Sequence, residues 1–265
     1  MTTTAVRGSG TTGTPGAMLL AHTRAQFLTF LRNVALSAVT VALPVILFTL
    51  IAGSAPSQPY AEGVTVGAYF LASMAAYAVS GVMVFNFGVT VAVDRGEKVD
   101  LLIRASPLPP VLYLLARVIT ALVFAVIALA VLFAFAWLVI GVRLPGETWL
   151  GLGASLLVGA LPFIGLGFAI AYLTGPNAAV AVTNLTYLVL AFASGIFMPM
   201  ASLPEFVRNM APYLPTYHYA QLAWSAVGMR TESVGTSALW LVGYGVLFFA
   251  VALYAYQRDE TRRFG

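Results

Sequence analysis

Thr148–Pro204, TWLGLGASLLVGALPFIGLGFAIAYLTGPNAAVAVTNLTYLVLAFASGIFMPMASLP, runs for 57 residues without an Asp, Glu, Lys or Arg. At about 1.5 Å of rise per residue, one unbroken helix of that length would far exceed an apolar bilayer core of about 30 Å. Gly175-Pro176-Asn177 supplies the break, because glycine and proline together punctuate a helical pattern. The stretch therefore reads as two membrane spans, about 149–173 and 178–198. The whole chain agrees: 60% of its residues are hydrophobic and 8% are charged, against about 25% charged in a soluble domain. Too few charges remain to solvate a surface, which excludes a soluble fold.

Other uncharged runs flank the quoted one. They hold 29 residues between Arg32 and Glu62, 31 between Glu62 and Asp94, and 25 between Arg117 and Arg143, with a last run at Ser233–Gln257. They place further spans at about 34–52, 64–91, 118–141 and 237–257, with a turn-forming loop at Gly53–Pro59. The predicted fold is an all-α integral membrane protein of six transmembrane helices, occupying 34–257. An even count puts both termini on one side. With the termini inside, Arg7, Arg24, Arg32, Arg95, Lys98, Arg104, Arg117, Arg258, Arg262 and Arg263 face the cytoplasm, and Arg143, Arg208 and Arg230 lie outside. The positive-inside rule selects that orientation, although the Gly175 turn, assigned to the cytoplasm, carries no charge.

Residues 1–17 are Thr- and Gly-rich and read as a disordered cytoplasmic tail, with no cleaved signal peptide; 258–265 form a second cytoplasmic tail. Between the first tail and the first span, 18–33 places Leu20, Thr23, Phe27, Leu28, Phe30 and Leu31 on one side of a helical wheel. His22, Ala25, Gln26, Thr29, Arg32 and Asn33 share the other. That pattern predicts an amphipathic helix in the membrane interface, its polar side among lipid headgroups.

Ser194–Gln221, SGIFMPMASLPEFVRNMAPYLPTYHYAQ, closes the uncharged run and carries prolines at 199, 204, 212 and 215. Pro199 is expected to stop the fifth span. Ser202-Leu203-Pro204-Glu205 has the spacing of a capping box, with Ser202 as N-cap, so a short amphipathic helix is predicted at the outer surface. Glu205 and Arg208 would stay at its wet rim while Phe206, Val207 and Met210 dip inward.

Catalytic patterns are missing. The sequence holds no GxxxxGK[ST] phosphate cradle, no HExxH and no GxSxG. No span carries a carboxylate, the usual mark of an ion-coupled carrier. With no Cys and only His22 and His218, no metal site is predicted. A net charge of +4 fits loops that meet anionic lipid rather than nucleic acid. Asn86, Asn184 and Tyr187 are read as interhelical hydrogen-bonding residues. Asp94–Arg117, DRGEKVDLLIRASPLPPVLYLLAR, is the largest cytoplasmic connection. Its dense charge, a predicted short helix at Glu97–Arg104 and the rigid Ser106–Pro110 turn suit docking to a soluble partner.

Three stretches resemble the ABC transporter type 2 permease family, in particular small drug-exporter permeases of the daunorubicin-exporter kind. FLRNVALSAVTVALPVILFTL (30–50) is similar to the family's first span, with Val34 where proline is usual. The 94–119 stretch resembles its charged loop through Gly96, Leu101, Leu102, Ser106, Pro107 and Leu108. Ser194–Gln221 matches its Ser-Gly-(Ile/Val)-Phe-x-Pro…Leu-Pro signature. The resemblance implies a pair of permease subunits, this chain with a second copy or a related chain, above ABC ATPase subunits that bind ATP and Mg; no cofactor is expected in this chain. It makes Arg95, Glu97, Lys98, Asp100, Leu101, Leu102, Arg104, Ser106, Pro107 and Leu108 the ATPase-coupling residues. Residues 199–221 become outward re-entrant helices over the exit path. Met83, Phe85, Phe87, Tyr187, Phe197, Met198, Pro199 and Pro204 become translocation-path or gate residues. The implied function is export of hydrophobic or amphipathic small molecules across a bacterial inner membrane, as in multidrug efflux and antibiotic resistance. Export of a lipid-linked polysaccharide and a non-transporting scaffold for an ATPase are the alternatives.

Overall fold

The computed structural model describes residues 14–32, 34–99, 109–229 and 232–264. Helix α1 (Pro15–Arg32) opens three residues ahead of the predicted Met18, with proline at a position that needs no backbone donor. Next come α2 (Val34–Ala52) and a small antiparallel hairpin, β1 (Pro59–Ala61) with β2 (Val64–Thr65), whose turn uses Gly63 at φ 74. The hairpin is an addition to the expected all-helical architecture. Thr65 then caps α3 (Val66–Phe85), accepting from the Ala68 amide at 3.2 Å.

Helix α3 is the axis of the bundle: every residue from Gly67 to Val84 is buried. A helix apolar or small on all sides has no outward face, and its two buried serines donate within the helix, Ser73 to the Tyr69 carbonyl and Ser80 to that of Ala76. The same helical rod widens into a π turn at Asn86–Thr90 and ends as α4 (Val91–Gly96).

Helix α5 (Pro110–Phe135) begins within the predicted 94–117 connection, so Tyr113 and Arg117 are already helical. It passes through a π turn, Ala136–Ile140, and stops at left-handed Gly141 (φ 82). The predicted span 149–173 is two helices, α6 (Gly146–Gly159) and α7 (Leu161–Leu173), bent at Ala160 because Pro162 has no amide to continue the ladder. Gly175-Pro176 restarts the chain as α8 (Pro176–Ala193), the break the sequence predicts. Two short pieces follow: α9 (Glu205–Met210), with no buried residue, and α10 (Pro215–Ala226), buried along most of its length. Helix α11 (Val234–Phe264) runs without interruption through the stretch expected to be a tail. Residues 258–264 hold no glycine or proline to end it.

Five helical segments among the described residues are long and apolar enough to cross a membrane: Val66–Gly96, Val111–Ile140, Gly146–Leu173, Pro176–Ala193 and Val234–Asp259. The apolar stretch Thr40–Ala52 of α2 is shorter.

Helix α7 is gripped from two sides. A Cβ on Gly165 would lie 3.1 Å from Phe248 Cβ and from the Phe249 amide nitrogen of α11. A Cβ on Gly167 would lie 2.8 Å from Phe87 Cβ and 3.0 Å from the Gly88 nitrogen and the Val84 oxygen. Small residues let helix backbones approach this closely in a membrane. Gly167→Ala pushes on backbone and is expected to cost about 1–3 kcal/mol, whereas Gly243→Ala, with open space around its Cβ, leaves the melting temperature in detergent unchanged. Equal melting temperatures for the two variants would contradict this packing.

Candidate functional site

The feet of the 94–117 connection are fixed by two buried arginines. Arg95, at the end of α4, donates through one guanidinium nitrogen to the Ala171 carbonyl in the last turn of α7. Through the other it reaches Asp259 Oδ1 of α11 at 2.6 Å. Its guanidinium carbon lies 4.7 Å from the centre of the Tyr172 ring, which meets Tyr256 of α11 edge-on. Arg117 of α5 pairs with Asp94 and donates to Thr90 Oγ1 at 3.0 Å, so it ties α5 to the π turn and to α4. Gly96 lets α4 end against the start of α8, where a Cβ would sit 2.9 Å from the Pro176 ring.

Among the predicted coupling residues, Arg95 thus turns inward, into the bundle. Glu97 and Lys98 are exposed, and Lys98 holds a left-handed backbone at φ 59. The chain turns at Glu97 and Lys98, so the expected helix from Glu97 does not start there. Asp100, Leu101, Leu102, Arg104, Ser106, Pro107 and Leu108 lie outside the described residues.

Helix α1 docks on α5 at this same end, through Phe27 of the apolar side and His22 of the polar side. Phe27 stacks on Phe124 at 4.9 Å between ring centres and His22 meets Tyr113 at 5.3 Å. Leu20 and Leu28, assigned to the apolar side, are exposed at 72% and 42%. The aromatic partners on α5 decide the rotation, drawing His22 and Gln26 inward. The Gln26 side-chain amide pairs with His22 at 3.0 Å from the imidazole Nε2. Burial, and then the nearby Arg117 cation, hold its pKa below the usual 6.5.

The predicted path residues fall into two groups. Phe85, Tyr187 and Phe197 converge around Tyr77: Tyr77 stacks on Tyr187 at 5.0 Å and meets Phe197 at 4.9 Å, and Phe85 meets Tyr187 edge-on at 5.7 Å. The Tyr187 hydroxyl lies 3.0 Å from Ser80 Oγ and donates to the Tyr77 carbonyl. Met83 and Phe87 are fully buried elsewhere on the axis, with Phe87 packed on Phe168 of α7 at 4.8 Å. Tyr187 makes the interhelical bonds expected of it. Asn184 instead bonds the Val180 carbonyl of its own helix, and Asn86 is buried at the π turn.

Beyond α8, the helix is stopped before Pro199 is reached. Gly195 sits at φ 77, its amide bonds the Phe192 carbonyl, and the Ile196 amide bonds that of Ala191. That double closure is a Schellman motif. Ser202 ends a 3₁₀ turn at Met200–Ser202, and Pro204 occupies the N-cap of α9 without any side-chain cap bond. The expected capping box does not form, because Ser202 is spent in the preceding turn. Met198 and Pro199 are half-buried, and Pro204, Phe206 and Met210 are exposed on the surface of the single chain. Helix α10 does enter the protein: Tyr219 reaches the Leu156 carbonyl at 2.8 Å, and Trp224 bonds Ser73 of the axis at 2.8 Å.

A family profile described as ABC-2 family transporter protein matches residues 26–254. The chain belongs to the ABC-2 transporter family. It is also 30% identical over 199 residues to YvfS of Bacillus subtilis (strain 168), which carries the name of a transport permease. The match covers 73% of this chain and 79% of YvfS. As an ABC-2 permease subunit the chain is a multi-pass membrane protein of a family that works with ABC ATPases.

Sequence reasoning missed several residues that organise this ABC-2 permease. Tyr77, Ser80 and Asp259 have no local motif; their partners are distant in sequence. Glu232 was also overlooked. It lies 3.1 Å from His218 Nδ1, while His218 Nε2 donates to the Pro212 carbonyl and the ring stacks on Trp240 of α11. One available signal was Arg117, an arginine two turns inside an apolar helix, which demands a buried partner.

Tyr187→Phe removes the bond to the Tyr77 carbonyl and the contact with Ser80 while keeping the ring stack. It is expected to lower stability by about 1–2 kcal/mol, read as a shifted unfolding curve in mild detergent, and Tyr187→Ala should cost clearly more. For α1 the lowered His22 pKa sets the sign. Its contribution is whole above the ordinary value of 6.5 and drains away as pH falls through the lowered one. Hydrogen exchange should show α1 opening more readily at pH 5 than at pH 7.5, and His22→Gln should remove the difference.

Proposed function

We propose that this permease exports hydrophobic or amphipathic small molecules from the cytoplasm or inner leaflet, driven by ATP hydrolysis in a partner ABC ATPase. The supporting observation is the aromatic wall of Tyr77, Phe85, Tyr187 and Phe197 between the axis and α8, with the Schellman turn at its end. Aromatic faces accept varied apolar cargo through stacking and area burial rather than through a fixed polar code. In this reading α2 is the sixth span and both termini are cytoplasmic. The ATPase docks on 94–117, two permease subunits pair, and 199–221 forms a cap on the outer side. Arg95 then acts from within the bundle, and the exposed Glu97 and Lys98 begin the docking surface.

The test is flux of a fluorescent apolar drug into inverted vesicles that carry the permease and its ATPase, with ATP supplied. ATP-dependent accumulation supports the reading; uptake of a lipid-linked oligosaccharide in its place moves the cargo to the polysaccharide class, and no flux of either overturns it. Replacing Pro199 and Pro204 together by Ala loosens the cap and is expected to lower flux about fivefold, the equivalent of about 1 kcal/mol. Copurification of the ATPase should be unchanged.

A further inference from the structure

Arg95, Asp259 and the last turn of α7 meet at one point, at the start of the connection that begins at Asp94. Arg95 is 8% exposed and Asp259 24%. Its two terminal nitrogens serve different helices, one capping the α7 carbonyl at Ala171 and the other pairing with α11. The ring of Tyr172 lies against the guanidinium, and Tyr256 of α11 backs that ring at 5.4 Å. On the opposite foot, Arg117 holds Asp94, Tyr113 and Thr90, so α5 cannot shift without drawing on α4.

Such an arrangement is poorly explained by stability alone. A partly buried ion pair loses hydration, and well-packed apolar residues of similar volume often stabilise as much or more. Where buried pairs are kept, their best-attested use is to fix a register or a switch. The same three segments are already held together nearer the membrane centre, by Gly167 against the π turn and Gly165 against α11. A second fastening at the loop end adds little to their association. It does add resistance to twist, because two fixed points along a rod define its rotation and one does not.

We propose that Arg95 and Asp259 are positioning residues for energy coupling: the pair converts displacement of the 94–117 connection into a joint movement of α4, α7 and α11. The Asp94–Arg117 pair makes the two feet of the connection move together. A push on the connection is then carried to α11 over its whole length, whose far half bears Trp240 against His218 of α10. The loop end is thereby linked to the cap end through one helix. The inference rests on the reading of 94–117 as the ATPase-docking element, and it adds to that reading the residues that carry the displacement onward.

Two measurements separate the possibilities. In the purified permease–ATPase complex, Asp259→Asn keeps the shape of the side chain and removes its charge. Copurification and ATP hydrolysis should stay within about twofold of the parent, while substrate moved per ATP falls about tenfold. Asp259→Glu should restore most of that ratio, which a purely structural defect would not allow. An unchanged ratio in folded Asp259→Asn complex overturns the proposal.

The second measurement uses the permease alone. The chain has no native cysteine, so Val93→Cys and Arg258→Cys introduce one spin-label pair across the α4–α11 contact without background. A narrow distance distribution in the parent that broadens with Asp259→Asn supports the latch, and an unaltered distribution overturns it. Because no ATPase is present, this result stands even if the docking reading fails. Should Asp259→Asn fold poorly, Arg95→Lys gives the same comparison: a compact ammonium lacks the planar fork whose two nitrogens span Ala171 and Asp259, so broadening is again expected and its absence again overturns the proposal.

Discussion

Everything in this bundle depends on how closely backbone can approach α7. Gly165 and Gly167 are two positions apart, so on a helix they face nearly opposite directions. One admits α11 and the other the π turn of the axis. In lipid, apolar side chains gain nothing by leaving their surroundings for one another, and association rests on van der Waals contact and hydrogen bonds. Close approach is therefore the main source of attraction available. With α7 fixed between α3 and α11, α6 is set by the Ala160 bend, α8 by the turn at Gly175, and α10 by the Tyr219 bond to Leu156.

The aromatic wall depends on the same axis. Tyr77 and Phe85 are on α3 while Tyr187 is on α8, and Gly81 leaves 3.3 Å between a Cβ and the Tyr187 hydroxyl. A side chain at Gly81 would press on the Tyr187 ring and hydroxyl. In the conformation described, the rings touch one another, and the hydroxyl of Tyr187 holds α8 to the axis through Ser80 and Tyr77. On the proposed route, cargo passes only when Tyr77 parts from Tyr187 and Phe197. Parting costs stacking and the Tyr187 hydrogen bond to the Tyr77 carbonyl, which amounts to a few kcal/mol at most and lies within reach of ATP-driven movement.

Much of the fold was legible because hydropathy and helix breakers are local. Each of the five described spanning segments is built on an uncharged run, four of them overrunning its charged edge, and Gly175-Pro176 breaks the longest run where expected. What failed were the features set by partners far away in sequence. The wheel for α1 could not show that His22 and Phe27 dock on Tyr113 and Phe124 of α5. Ser202-Leu203-Pro204-Glu205 has capping-box spacing, yet the 3₁₀ turn before it takes Ser202. Residues 258–264 look like a charged tail, but Asp259 has Arg95 as a partner 164 positions away. Among the site residues, Tyr187 could be picked out as one of the polar groups in an apolar span, whereas Tyr77 and Ser80 could not be distinguished from ordinary packing.

The Arg95 contact also resolves an oddity in the charge pattern. On the proposed orientation the turn at Gly175 lies on the cytoplasmic side, where positive residues are expected, yet it has none of its own. The C-terminal carbonyls of α7 need donors there, and a cation is favoured by the helix dipole. Thr174 satisfies Ile170 through its amide and its hydroxyl, and the next carbonyl, Ala171, takes Arg95. The turn's positive charge is thus supplied by α4 across the contact that Gly96 makes with Pro176. A lysine or arginine within the turn would compete with Arg95 for that carbonyl and place two cations beside one another. The neutral turn and the buried arginine are therefore two halves of one arrangement, in which the end of α7 is capped from the segment that leads into the 94–117 connection.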